Sequence, residues 1–408
     1  MGPLIVSSAL LVPALLIAGC GPPKVPPPGD LPLAERVGTE RGPEVRYRPG
    51  TPMTDAGALL VDAVPGATWD RGLQSAAETL LGTAVGPRVR LDTRTTTGVV
   101  SLSGYPGQVR FATRLNGGAF PSDVVEPIVA DGSGRTVDVA LARRTWSDGM
   151  TLWVVAWAPR VLRINPMPRD VPLDGSLPVT VHGGDGEELR LFIAPPDAPV
   201  EAVSLTAGVT RWVDRFHTPG EYRLEVVQRS GQRSRVALLF SVFVDAPPEA
   251  PALGGPGSAP TPNPTVAEVE LLGAVNALRL EHGLGPVRPF PMFEPFAREH
   301  SALMAASGIV AHQIPDVTPG VPARAAEYAH PRALHFENVA VAATPEETLA
   351  RVVDSPGHLR NLLCAECTHA AIGAALEPVL DRPPRLFVTY ELLAFPQGPP
   401  AKIDHYNR

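Results

Sequence analysis

The sequence predicts a multidomain chain: a small α+β unit, then a β-sandwich, then a C-terminal domain of mixed helices and strands. Three observations predict it. A chain of 408 residues leaves room for two to four domains at roughly 100–200 residues each. Its 48 Pro and 38 Gly exclude a helix-dominated architecture and belong in linkers, turns and edge strands. A Pro-rich stretch, Ala246 to Thr265, has no aromatic residue and no apolar period, so it reads as an extended linker that divides the chain. With 44% hydrophobic and 19% charged residues, wholesale disorder is excluded. Lys plus Arg is 35 against 42 Asp plus Glu, a net charge of −7 without a basic run. This argues against nucleic acid as a partner. The 3 Cys exclude a disulfide scaffold.

Residues 1–20 read as a lipoprotein signal peptide. Leu4 to Ile17 is apolar and uncharged, the length of a signal-peptide core and short for a bilayer span. It ends in Ile17-Ala18-Gly19-Cys20, which resembles the bacterial lipobox. That resemblance implies lipidation of Cys20 and a membrane as partner. An ordinary signal peptide or a short anchor is the alternative. Gly21 in place of Asp leans toward the outer membrane or cell surface. Residues 21–50, rich in Pro, read as a tether.

Residues 51–160 read as the α+β unit. Leu73, Ala76, Ala77, Leu80 and Leu81 form a helical stripe. Val99–Leu102, Gln108–Thr113, Val137–Leu141 and Thr151–Trp157 read as strands, the last two joined at Ser147-Asp148-Gly149. Trp146, Trp153 and Trp157 read as core. Residues 161–245 offer six evenly spaced short strands: Leu177–His182, Leu189–Ala194, Val200–Leu205, Arg211–Phe216, Tyr222–Gln228 and Val236–Val244. They predict an immunoglobulin-like β-sandwich. No catalytic cluster stands out there, and a spacer or adhesive role fits.

After the linker (residues 246–265), Glu268–His282 has Leu271, Val275 and Leu278 on one face and reads as a helix. A second helix from Met292 to Ser307 carries His300 on its apolar stripe. His300 reads as a core histidine, with ligand as the alternative. A third opens with Thr344-Pro345-Glu346-Glu347, a capping pattern that gives Glu347 a structural role. Two strands, Ala370–Glu377 and Arg385–Ala394, close residues 266–396, and residues 397–408 read as a tail.

These residues resemble a family. Glu270-Leu271-Leu272, Val275-Asn276-Ala277-Leu278-Arg279, Ala297-Arg298-Glu299-His300, Ala311-His312 and Phe336-Glu337-Asn338-Val339 occur in order. Ser355-Pro356-Gly357-His358 with Asn361-Leu362-Leu363, then Ile372-Gly373 and Val388-Thr389-Tyr390-Glu391, complete the series. Together they resemble the CAP superfamily of cysteine-rich secretory, antigen 5 and pathogenesis-related proteins. The resemblance covers about residues 268–395. It implies an α-β-α sandwich with a cleft presenting His312, Glu337, Asp354 and His358. Asp354 takes the second acidic place although the Trp that accompanies it in relatives is Val352 here.

Two imidazoles, His312 and His358, are donors for a weakly held divalent metal such as zinc, oriented by carboxylates. A catalytic zinc site takes three protein ligands and water, and no nucleophile stands beside a base in these motifs. The sequence therefore favours an exported, lipid-anchored binding module for a peptide, glycan or lipid. The alternative is a metal-dependent hydrolase of peptides or cell-wall material. Cys364 and Cys367, in an exported protein, read as a local disulfide, with free thiols or a metal pair as alternatives.

Overall fold

The computed structural model describes residues 44–248 and 262–396, apart from 133, 185, 232, 316, 320, 322–323, 325–332 and 380–383. Cys20 and the rest of the stretch read as a signal peptide, most of the residues read as tether and linker, and those read as a tail lie outside the described residues. Glu44–Val45, in the stretch read as tether, pairs with Met167–Pro168. No described helix is long and apolar enough to cross a membrane.

The first core is built from helices α1 (Asp55–Ala63), α2 (Arg71–Gly82), α3 (Thr93–Ser103) and α4 (Val125–Gly132). They accompany a four-stranded sheet of β1 (Ala67–Trp69), β2 (Arg110–Asn116), β3 (Val137–Thr145) and β4 (Thr151–Pro159) in the order β1-β3-β4-β2. Trp153 and Trp157 are buried in its core, with Trp146 packed against it. One assignment changes: Val99–Leu102 lies in α3 and is not a strand. Its run of β-branched residues favours extension, but Asp92 caps the helix through Thr95 N at 3.1 Å and Thr95 Oγ1 at 2.8 Å. Thr96 returns its hydroxyl to the Asp92 carbonyl at 3.0 Å.

The second core belongs to a five-stranded sheet of β5 (Asp170–Val171), β6 (Glu188–Ala194), β7 (Glu201–Leu205), β8 (Gly220–Ser230) and β9 (Arg233–Val244). The order is β7-β6-β8-β9-β5, and Leu177–Val179 with Arg211–Val213 forms a separate two-stranded sheet. Along β8, Tyr222, Leu224 and Val226 are fully buried, the period-2 pattern of a sheet with one core face.

The third unit has β10 (Arg288–Pro289), β11 (Leu334–Ala342), β12 (Cys367–Leu376) and β13 (Leu386–Ala394) in the order β10-β12-β13-β11. Helices α5 (Pro264–Glu281), α6 (Glu294–Ser307), α7 (Pro345–Val353) and α8 (Pro356–Leu362) complete it. Gly373 in β12 sets how closely α6 approaches the sheet: a Cβ there would sit 2.1 Å from the Ala297 carbonyl carbon. Ser301 in α6 donates to the Gly373 carbonyl at 2.8 Å. Thr344 caps α7, and Glu347 reaches back to Ala343 N at 3.2 Å. Cys364 and Cys367 are disulfide-bonded.

Candidate functional site

His312 comes from the loop after α6, Glu337 from β11 and His358 from the first turn of α8. Antiparallel pairing with β13 places Glu337 in the sheet opposite Glu391, and both are buried. Glu337 accepts from His312 Nδ1 at 2.8 Å through Oε1 and from Arg324 Nη2 through Oε2. Arg324 also donates to the His312 carbonyl at 3.1 Å, so one guanidinium fixes both the acid and the loop that carries the imidazole. Burial pushes the Glu337 acid upward, but the His312 hydrogen bond and the charges of His312 and Arg324 outweigh it. The group is therefore an ionised carboxylate. In the neutral imidazole, with Nδ1–H given to this carboxylate, the lone pair of Nε2 is left for a ligand.

His358 stands beside this pair. The two imidazole rings lie 6.0 Å apart between centroids and are tilted by 60°. Asn338 donates to the His358 carbonyl at 2.9 Å and Asn361 to Asn338 Oδ1 at 2.8 Å. Both Asn belong to motifs visible in the sequence, although their positioning role was not. Burial, then the charge of His312, holds the His358 imidazole down to about 3, so it is neutral in the ordinary pH range.

Asp354 does not join them. Its carboxylate takes a hydrogen bond from Thr97 in α3 at 2.6 Å and pairs with Arg223 in β8. The acidic residue nearest His358 in sequence thus docks the third unit on the other two, and the tetrad expected from the sequence reduces to His312, Glu337 and His358. The correction has a physical cause: Asp354 closes α7 on the side turned toward the neighbouring units, where Arg223 offers a cation. Sequence offered no signal for a contact across 131 positions.

Two further groups were missed. Arg324 is described above. Glu391 is hydrogen-bonded to His335 Nε2, and burial, then the Glu337 charge, pushes its acid well up. A neutral carboxylic acid therefore backs the ionised one. His300 is a core histidine held by one bond, Nε2 to the Ala311 carbonyl at 2.9 Å, and burial lowers it to about 4.

The donor set fits a weakly held divalent ion: two imidazoles, one backed by a carboxylate. It does not fit a tight site, because among the described residues no group of three or more His, Cys, Asp or Glu converges on one ion. Also among the described residues, no hydroxyl or thiol hydrogen-bonds either imidazole, and Cys364 and Cys367 are joined to each other.

Residues 272–389 match the family model described as CAP, the cysteine-rich secretory protein family. None of the curated proteins matches the chain. Among solved structures, an outer surface protein of Borrelia burgdorferi is similar at 17% identity, over 32% of this chain and 93% of that one, with a TM-score of 0.28. An extracellular protein of Bacillus anthracis containing an SCP domain is similar at 17% identity, over 47% and 66%, with a TM-score of 0.29. A cysteine-rich secretory protein of Staphylococcus aureus is similar at 11% identity, over 57% and 85%, with a TM-score of 0.25.

Proposed function

The C-terminal unit is a CAP domain, and from that premise we propose that the protein is an exported binding protein, held to the bacterial envelope through lipid on Cys20. The CAP domain presents the ligand cleft, and the preceding units, the second read as an immunoglobulin-like sandwich, carry it away from the membrane. The observation that supports this best is the carboxylate-backed His312 beside a neutral His358. That arrangement is suited to holding a ligand or a weak divalent ion. Zinc there would polarise a ligand oxygen, while Glu337 fixes the His312 ring and Asn338 and Asn361 fix the turn bearing His358. No observation favours hydrolysis: among the described residues no hydroxyl or thiol hydrogen-bonds either imidazole.

The test uses the full mature chain as bait against peptide, glycan and lipid fractions of the envelope, with and without added zinc. Capture that is lost in both H312A and H358A, with thermal midpoints unchanged, is the expected result. Capture that survives in both variants overturns the cleft. Cys20→Ser is expected to release the protein from membranes, and continued membrane association with an unmodified N-terminal peptide overturns the anchor.

A further inference from the structure

A cavity of about 880 Å³ lies where the three units meet. It is bordered by α3 and β2 of the first unit, by Leu239 to Ser241 of β9, and by Val339 to Val341, α7 and His358 of the CAP domain. His358 belongs to its wall while His312 and Glu337 do not, so the cavity adjoins the cleft and leaves out the carboxylate-backed imidazole. Three features of its wall point to a ligand.

The first is charge. In a chain of net charge −7, the cavity is lined by four arginines, Arg110, Arg223, Arg351 and Arg385, against two aspartates, Asp131 and Asp354. Arg110 is paired with Asp131, Arg223 with Asp354, and Arg385 with Glu377. Arg351 differs: among the described residues no hydrogen bond or ion pair engages it, and Glu347 and Asp354 act on it only through space. Its guanidinium keeps its fork of donors for something else. The second is a hydroxyl. Thr93 is 7% exposed, lines the cavity, and its Oγ1 has no hydrogen-bond partner. A buried hydroxyl left unpaired is costly, and a bound polar ligand would remove the cost. The third is the mixture of surfaces: Ser101 and Gln108 stand among the lining residues with the aromatic rings of Phe111 and Trp157.

We propose that this chamber binds a short anionic glycan, a few sugar rings carrying acidic groups. Arg351 meets the anion by charge-assisted hydrogen bonds. Thr93 meets sugar hydroxyls, and the aromatic rings cover the C–H faces that sugars present between their hydroxyl edges. The volume falls within the range of about 300–1,000 Å³ common for small-ligand sites. The net negative charge of the chain disfavours a long polyanion such as nucleic acid.

The experiment is calorimetric titration of the full mature chain, with chelator present throughout so that the outcome is independent of any metal at the His pair. The probes are trigalacturonate, maltotriose and inorganic phosphate. Trigalacturonate is expected to bind at least about tenfold more tightly than maltotriose. Arg351→Gln is expected to remove about that tenfold, the worth of one hydrogen bond to a charged group, while leaving the binding of maltotriose unchanged. Thr93→Val replaces a hydroxyl that bonds nothing in the protein, so the fold should hold, and it is expected to weaken trigalacturonate several-fold. Equal binding of the acidic and neutral sugars overturns the role of Arg351. Phosphate binding as tightly as trigalacturonate, and competing with it, overturns the carbohydrate. Wild-type affinity in both folded variants overturns the site.

Discussion

Glu225 and Glu337 are both buried carboxyls, and each touches one of the segments around His358, yet their protonation differs. Glu225 lies in β8, 1% exposed, and reaches out of the five-stranded sheet to accept from Ser355 Oγ and from Gly357 N at 3.3 Å at the start of α8. Burial dominates, a hydroxyl and an amide offset it only in part, and the acid is pushed up to about 7. Glu337 is as deeply placed but meets an imidazole N–H and a guanidinium, and it stays ionised. Burial alone does not decide a carboxyl's charge; the charge of what it meets does. In this molecule the difference separates two jobs. Glu337 orients the imidazole of the cleft. Glu225 fastens the helix that carries the other imidazole to a neighbouring unit, so the position of His358 depends on the second unit's five-stranded sheet as well as on the CAP sheet.

The largest effect should come from breaking the ionised member. Glu337→Leu strips Arg324, whose side chain is 8% exposed, of its carboxylate and leaves a buried cation unpaired. A loss of about 3–5 kcal/mol is expected, read as a lowered calorimetric transition of the CAP domain. Glu337→Gln keeps the shape and should lose less stability, while freeing the His312 ring to turn.

The comparison sharpens with pH, because the two regions should respond with opposite sign. The docked-state acid of Glu225 lies above its undocked value, so docking binds a proton. Its contribution is fully present below the undocked pKa near 4.3 and is lost as pH rises through about 7. Across that window the change is on the order of 3 kcal/mol. His300, His335 and His358 have folded values lowered to about 4, 4 and 3, burial first among the causes. Their contribution is present above about 6.5 and is lost as pH falls toward the folded values. Mild acid should therefore tighten the union of the units while weakening the CAP interior. Limited proteolysis of the linker and the CAP transition, each followed from pH 8 to 5, measure the two slopes separately. Glu225→Gln, which copies the protonated acid, should flatten the docking slope and leave the interior slope unchanged. A docking slope that persists in Glu225→Gln assigns it to another group.

A smaller effect is expected from Arg223→Ala. It removes the cation from Asp354, but Thr97 remains as partner, so about 1–2 kcal/mol of docking should be lost. Small-angle scattering should register it as a wider distribution of distances between the units.

How much of this was legible in the sequence follows the distance over which each feature is encoded. The capped start of α7, the stripe of α5 and the alternation in β8 are local, and they were readable. His312, Glu337 and His358 were readable because each sits in a short motif. The α3 helix was misread because β-branched residues argue for extension while its cap, Asp92, lies just outside the apolar run. Glu225, Arg223 and Thr97 were invisible as partners of the Ser355 segment. They lie 130, 131 and 257 positions from the atoms they bind, and nothing near them in sequence differs from ordinary surface residues of a strand or helix.

The smallest expected effect is the loss of the disulfide, and the reason lies in Arg279. This residue, 1% exposed, sends Nη1 to the carbonyls of Leu362 and Cys364 at 2.8 and 2.9 Å, and Nη2 to that of Cys367 at 3.2 Å. It thus holds both ends of the turn that the disulfide closes, and Cys367 N already bonds the Cys364 carbonyl at 3.3 Å. A loop of separation 3 has little closure entropy to remove, roughly 2 kcal/mol in the chain-entropy account, and part of that restraint is duplicated by the guanidinium. Reducing the bond, or replacing both Cys by Ser, should cost about 1 kcal/mol in the CAP transition. Arg279→Met should cost more, because it leaves buried carbonyls unpaired. The double change should exceed the sum of the two, since each restraint covers for the other. If instead the effects add, the turn is held by two independent devices, and Arg279 acts on the body of the domain rather than on the Cys364–Cys367 turn.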